Sequence, residues 1–179
     1  MRGRSSRAAR PEKPLTAAAL ERSALWHLSR RALTKAQLVA LLNKKAARAA
    51  AVHGPCAEAT SWIDALLLRL QDSLLVDDER VARARVQSGR AAGRSRRALQ
   101  VRLKRQGVDD ATATQALASV DADVDGDAEL AAAVTWAKKK SLATKDRQKA
   151  LAALARQGFS FDVAKRALEA AGHNDDEVG

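Results

Sequence analysis

From Ser95 onward the chain copies itself. Aligned without a gap, Ser95–Val120 and Asp146–Ala171 share eight of 26 residues: Arg96/Arg147, Leu103/Leu154, Arg105/Arg156, Gln106/Gln157, Gly107/Gly158, Ala113/Ala164, Ala116/Ala167 and Leu117/Leu168. Recurrence at a fixed spacing is the mark of a supersecondary unit stacked against its own kind. Within each copy the Arg-Gln-Gly string reads as a helix end, with glycine as the left-handed cap residue. An apolar residue follows (Val108, Phe159), and then a cap-type residue (Asp109, Ser160) opens the next helix.

The composition indicates what kind of unit this is. Ala and Leu dominate, Tyr is absent and there are two Phe. Ala, Leu, Arg, Lys, Gln and Glu lose little side-chain freedom in a helix, whereas a sheet draws on β-branched and aromatic residues that are scarce here. The expected class is all-α. Extending the unit backwards places helices over about Asp77 to Ala91 and about Asp127 to Lys140. A looser, earlier copy has helices near Thr16 to Arg30, from Thr34, and over Ala57 to Asp72. Thr34-Lys-Ala-Gln37 has capping-box spacing, and Ala46 to Pro55 lengthens that copy's second helix or loop. The expected organisation is therefore three tandem three-helix repeats in an elongated, curved array: a disordered basic arm over 1–15, repeats over 16–76, 77–121 and 122–172, and an acidic tail over 173–179.

Charge is segregated along this framework. The net charge is +11 with a pI near 10.5, which favours polyanionic partners. Between Glu79 and Arg105 there are ten basic residues and one acid; between Gly107 and Thr135 there are seven acids and no base. On the Asp77 helix, Arg80, Arg83, Gln87 and Arg90 are expected in one sector, with Val81, Ala82, Ala84 and Val86 on the remaining face. On the next helix Leu99 and Leu103 turn inward while Arg97, Lys104 and Arg105 lie roughly opposite. Gly89 and Gly93 frame a corner carrying Arg94 and Arg96. A solvated face that only keeps the chain soluble normally intersperses acids, so an anion-binding surface is the stronger reading. Guanidinium suits either carboxylate or phosphate.

Other chemistry finds little support. Asp121-Ala-Asp123-Val-Asp125-Gly126 opens like a calcium-binding loop, but Ala132 stands where the bidentate glutamate belongs and Glu129 occupies only the ninth position. An acidic linker favouring the dipole of the next helix is expected instead. His27, His53 and His173 lack ligand spacing to one another or to Cys56, which reads as a small loop thiol. No phosphate loop, nucleophile elbow or paired-carboxylate pattern is present, so neither an enzyme nor a cofactor is expected. Three Trp and two Phe are too few for a stack of single-stranded bases; Trp26, Trp62 and Trp136 are expected to fill cores. No apolar run approaches the ~20 residues of a membrane span, no secretion signal is expected because the basic start lacks a following apolar stretch, and one cysteine suits a reducing cytoplasm.

Several strings together resemble the RecX family. Ala24-Leu-Trp-His-Leu-Ser-Arg-Arg31, followed by Thr34, Gln37, Leu38 and Leu41, is similar to its first repeat. Leu74-Leu-Val-Asp77-Asp78-Glu-Arg80-Val-Ala-Arg83 is the most specific match. Leu103-Lys-Arg-Gln-Gly107-Val108, Asp146-Arg-Gln148 and Gln157-Gly158-Phe159-Ser160-Phe161 follow in order, over about Ala17 to Ala171. Val81 and Arg85 depart from the family pattern, where aromatics are usual. The resemblance implies a monomeric cytoplasmic regulator that lies in the groove of the RecA–single-stranded-DNA filament and limits its growth or promotes its disassembly. It would thereby modulate homologous recombination, DNA repair and the SOS response. The residues expected to touch RecA or DNA are Arg80, Arg83, Arg90, Arg94, Arg96, Arg97, Lys104, Arg105, Arg147, Arg156 and Lys165. The competing expectation is a general nucleic-acid-binding or nucleoid protein.

Overall fold

The computed structural model describes residues 13–173. Residues 1–12 of the expected 1–15 arm, residues 174–179 of the expected 173–179 tail and the His173 side chain lie outside the described residues, while Leu15 packs against the core of the first helices. Among these residues there are nine helices and no strand: α1 (Ala17–Arg30), α2 (Lys35–His53), α3 (Ala59–Asp72), α4 (Asp78–Ala91), α5 (Arg96–Arg105), α6 (Asp110–Ala122), α7 (Ala128–Lys139), α8 (Arg147–Arg156) and α9 (Phe161–His173). The chain divides into two compact units, Met1–Val76 and Asp77–Gly179. The all-α class and the three sets of three helices are as expected.

Local chemistry starts nearly every helix. The side chains of Thr16, Thr34, Asp77, Ser95, Asp109, Asp127 and Asp146 each accept a hydrogen bond from a backbone N–H of the first turn that follows. Ser160 does the same for Val163 at 3.3 Å. Each such cap satisfies a donor that the helix cannot, and is worth about 1 kcal/mol. Thr34 and Gln37 complete the capping box reciprocally. Helix α3 is the exception: it starts at Ala59, two residues later than expected, and Glu58 makes no side-chain cap. The lengthened stretch of the first repeat is helix, since α2 runs to His53 before Gly54 turns the chain. Cys56 follows in the loop, and its thiol donates to the Glu58 carboxylate at 3.4 Å.

Each set of helices has its own core. In unit 1, Leu20, Leu33, Leu38, Leu42, Ile63, Leu67 and Val76 are buried together, with Trp62 packed against them. The first set of unit 2 buries Ala82, Val86, Leu99, Leu103, Val108, Leu117 and Val120. The second buries Ala133, Ala137, Leu142, Leu154, Phe159, Ala167 and Leu168, with Trp136 half-buried beside them. In both sets of unit 2 the first helix packs along the third, and the short middle helix lies against the third. Trp26 corrects its expectation. It is 56% exposed, because Leu20 and Ala24 supply the inward seam of α1 and Trp26 falls outside it.

Two glycines let the sets of unit 2 touch. Gly93, at φ +74°, ends α4; a Cβ there would lie 2.8 Å from the Trp136 backbone nitrogen and 3.0 Å from the Ala132 carbonyl on α7. Gly158, at φ +92°, would place one 2.8 Å from Ser95 Oγ and 3.3 Å from Arg97 Cβ. Ser95, fully buried, caps α5 and donates its hydroxyl to the Gln157 carbonyl at the end of α8. The Arg-Gln-Gly helix end thus also serves as a docking point between consecutive repeats.

Candidate functional site

Helix α4 turns the charge run into a surface with a seam. Ala82, Val86 and Gly89 face the core, while Arg80, Arg83 and Gln87 are exposed on the far side. Ala84, expected on the apolar face, shares that exposed sector instead, because it lies roughly opposite Ala82 on the helical wheel. Gly89 sits inside α4 rather than in the corner, and the Leu99 side chain lies where its Cβ would be. Arg90 is about 40° around the helix from Val86, at the edge of the buried seam.

That position takes Arg90 out of the expected contact surface. Its side chain is 8% exposed. Nε and Nη2 donate to the two carboxylate oxygens of Asp121 on α6, each at 2.8 Å, and Nη1 donates to Glu129 on α7 and to the Arg94 carbonyl at 3.2 Å. Burial works against the charge of Arg90, but the hydrogen bonds it donates to Asp121 and Glu129 outweigh it and hold the guanidinium above its ordinary value. Glu129 also accepts from the Arg96 backbone N–H at 3.0 Å, at the start of α5. The cluster therefore joins α4, α5, α6 and α7.

The acidic segment folds back onto the basic one. Among the described residues five ion pairs connect them: Arg83–Asp123 at 3.1 Å, Arg90–Asp121, Arg90–Glu129, Arg96–Asp121 at 3.3 Å and Lys104–Asp110 at 3.3 Å. The aspartates 121, 123 and 127 go to separate tasks. Asp127 caps α7, as expected of an acid preceding a helix, and receives Arg166 at 3.3 Å. Glu129 and Ser95 are structural residues that the sequence reading missed. The serine stood at cap spacing before Ala98, but nothing local pointed Glu129 at a partner 39 residues back.

The remaining expected contact residues separate into two groups. Arg80 lies 4.0 Å from the Asp77 carboxylate, Arg83, Lys104 and Arg147 are in exposed ion pairs, the last with Glu169 at 3.3 Å, and Arg96 reaches the largely buried Asp121 at 3.3 Å. Exposed pairs of this kind hold for ~0–1 kcal/mol and exchange readily for another anion. Arg94, Arg97, Arg105, Arg156 and Lys165 are exposed and have no carboxylate partner among the described residues. Arg97 lines an open cleft of about 550 Å³ with Arg96, Gln100, Asp127, Gly158 and Ser160. The structure thus brings Arg96 and Arg97 to the junction between repeats, with Arg90 beneath them as support.

Three sets of three helices among the described residues, the basic second set locked to the third by a buried arginine, place the chain in the tandem-repeat class of proteins. The family model described as RecX, second three-helix domain, matches residues 77–117. The chain is 36% identical over 160 residues to the regulatory protein RecX of Myxococcus xanthus, covering 84% of each chain. It is 34% identical over 143 residues to that of Mycobacterium avium, covering 76% of this chain and 83% of the relative. The fold matches the crystal structure of RecX from Lactobacillus salivarius with a TM-score of 0.63 at 20% identity, over 87% of this chain and 96% of that one. A second crystal structure of regulatory protein RecX gives 0.62 at 18% identity, over 83% of this chain and 70% of that one. The chain belongs to the RecX family of regulatory proteins.

Proposed function

We propose that this chain is a negative regulator of the RecA recombinase. It lies in the groove of the RecA–single-stranded-DNA filament and limits filament growth or promotes disassembly, which restrains homologous recombination, DNA repair and the SOS response. It works in the cytoplasm, as a monomer and without a cofactor. The observation that carries this reading is the 36% identity to a regulatory protein RecX across 84% of the chain. The exposed cations of unit 2 supply the physics. Arg94, Arg97, Arg105, Arg156 and Lys165 meet carboxylates of the filament groove or DNA phosphates, Arg80, Arg83, Lys104 and Arg147 exchange their exposed pairs for the same anions, and the exposed side of Arg96 adds to them. Arg90 is not part of this contact set.

The test is RecA-catalysed ATP hydrolysis on single-stranded DNA with the full chain titrated in. A fall in hydrolysis as the filament shortens supports the reading, and hydrolysis unchanged at saturating protein overturns it. The net charge of +11 also favours a second reading, a general nucleic-acid-binding protein. That reading requires tight binding to naked duplex DNA without RecA, with affinity falling steeply in salt. Co-precipitation with RecA that survives nuclease treatment separates the two.

A further inference from the structure

Helix α1, in unit 1, carries a surface that the RecA reading does not use. Arg22, Trp26 and Arg30 recur every fourth residue and are all exposed, so they form one stripe about 12 Å long at ~1.5 Å per residue. A tryptophan more than half exposed leaves a large apolar surface in water, and nothing in the α1 core needs it there. The ring is nonetheless held. The Arg30 guanidinium lies 4.9 Å from its centroid, and His27 meets it edge-on at 4.8 Å with the planes at 77°. Arg31 extends the positive charge beyond the helix end. The one acid of α1, Glu21, is turned to Arg69 at 3.3 Å.

We propose that the Arg22–Trp26–Arg30 stripe binds single-stranded nucleic acid, with one unpaired base stacked on the Trp26 indole and the flanking phosphates on Arg22 and Arg30. An indole fixed by a cation and a neighbouring ring loses little freedom when a base settles on it. Stacking of this kind tolerates any base, because every base has a π-face. Duplex is excluded from the ring, since its bases are already stacked. Charge complementarity selects the occupant: an acidic peptide matches the arginines but has no flat aromatic partner for the indole. The full set of exposed aromatics is too small for a continuous stack, so the stripe reads one base and no sequence.

The experiment measures binding of the full chain to a fluorescent oligo-dT, to an abasic oligonucleotide of equal length and to polyglutamate, with no recombinase present. Trp26→Ala should weaken oligo-dT binding roughly fivefold to a hundredfold, Trp26→Phe should retain most of it, and Arg30→Gln should reduce the salt dependence by about one phosphate's worth. Binding of the abasic strand should be equal for the native chain and Trp26→Ala. The proposal is overturned by native-level oligo-dT binding in Trp26→Ala, by equal losses on the abasic strand or polyglutamate, or by a native chain that ignores oligo-dT. Because Trp26 is on the surface, both variants should keep the native thermal transition. The ATP-hydrolysis test of the RecA reading uses the native chain and stands independently of any result at Trp26.

Discussion

The Arg90 guanidinium and the Asp121 carboxylate meet as a fork, Nε to one oxygen and Nη2 to the other, each at 2.8 Å. They lie 31 positions apart in the chain, and the third arm of the same guanidinium reaches Glu129 in the following repeat. A planar cation of this shape can grip Asp121 with two parallel bonds and still reach the next helix, whereas the ammonium of lysine carries its three donors on one atom and cannot form the fork.

Removing it should unfasten the junction. Arg90→Met leaves Asp121 and Glu129, whose side chains are 18% and 25% exposed, without their shared cation. Breaking a fully buried pair costs about 3–5 kcal/mol, and the partial exposure of the acids brings the expected loss to about 2–4 kcal/mol. Urea unfolding followed by amide exchange should show the loss in α4 to α7 and leave α1 to α3 unchanged. Arg90→Lys should recover only part of it.

Gly93→Ala tests the close approach of α4 and α7. The substitution adds the left-handed penalty of about 1–2 kcal/mol to overlap with the Trp136 and Ala132 backbone, a neighbour that cannot rotate away. The expected total is about 2–4 kcal/mol. Gly126→Ala, at φ +87° with nothing within 4 Å, isolates the conformational part and should cost about half as much. Thermal melts of the two variants side by side give the comparison.

Charge reversal at Arg94, Arg97 and Arg105 should separate function from fold. None of the three has a carboxylate partner among the described residues, so changing Arg94 and Arg105 to Glu should move stability by no more than about 0.5 kcal/mol per site, while the same change at Arg97, in a cleft with Asp121, Asp127 and Glu129, should cost more. The same variant should lose most of its effect on RecA ATP hydrolysis. Retention of native potency would remove these arginines from the contact set.

Acid should loosen the start of α6. Backbone and side-chain hydrogen bonds from Thr112 hold the Asp109 carboxyl below its ordinary value. A depressed carboxyl stabilises the fold fully above its unfolded pKa of about 3.9, and the contribution disappears as pH falls through the lower folded value. Native chain should therefore lose helix-start protection only below about pH 4. Asp109→Asn, which keeps an acceptor but cannot titrate, should flatten that part of the melting-temperature profile.

Much of the secondary structure was legible because its determinants are local. The Thr34–Gln37 capping box, the Asp77 and Asp127 caps and the Arg-Gln-Gly ends act within a few residues of themselves, and the helices start and stop there. The binding surface was less legible. Arg80, Arg83 and Arg90 share a helical periodicity, yet only the first two are exposed; periodicity sorts residues into sectors but does not say which edge of a sector meets a neighbour. Ala84 and Trp26 departed from expectation for the same reason, since apolar character does not dictate burial on a helix whose inward seam is already filled.

The residue order by itself determined the helices, their repeat and the family, because propensity, capping and glycine turns are short-range effects written into each segment. Which arginines face outward was decided only by folding. The acids of 107–135 lie apart from the cations of 79–105 in the chain, and the return of α6 and α7 onto α4 brings them within hydrogen-bonding distance. A charge count sums along the sequence, whereas desolvation and pairing depend on distances that tertiary packing sets.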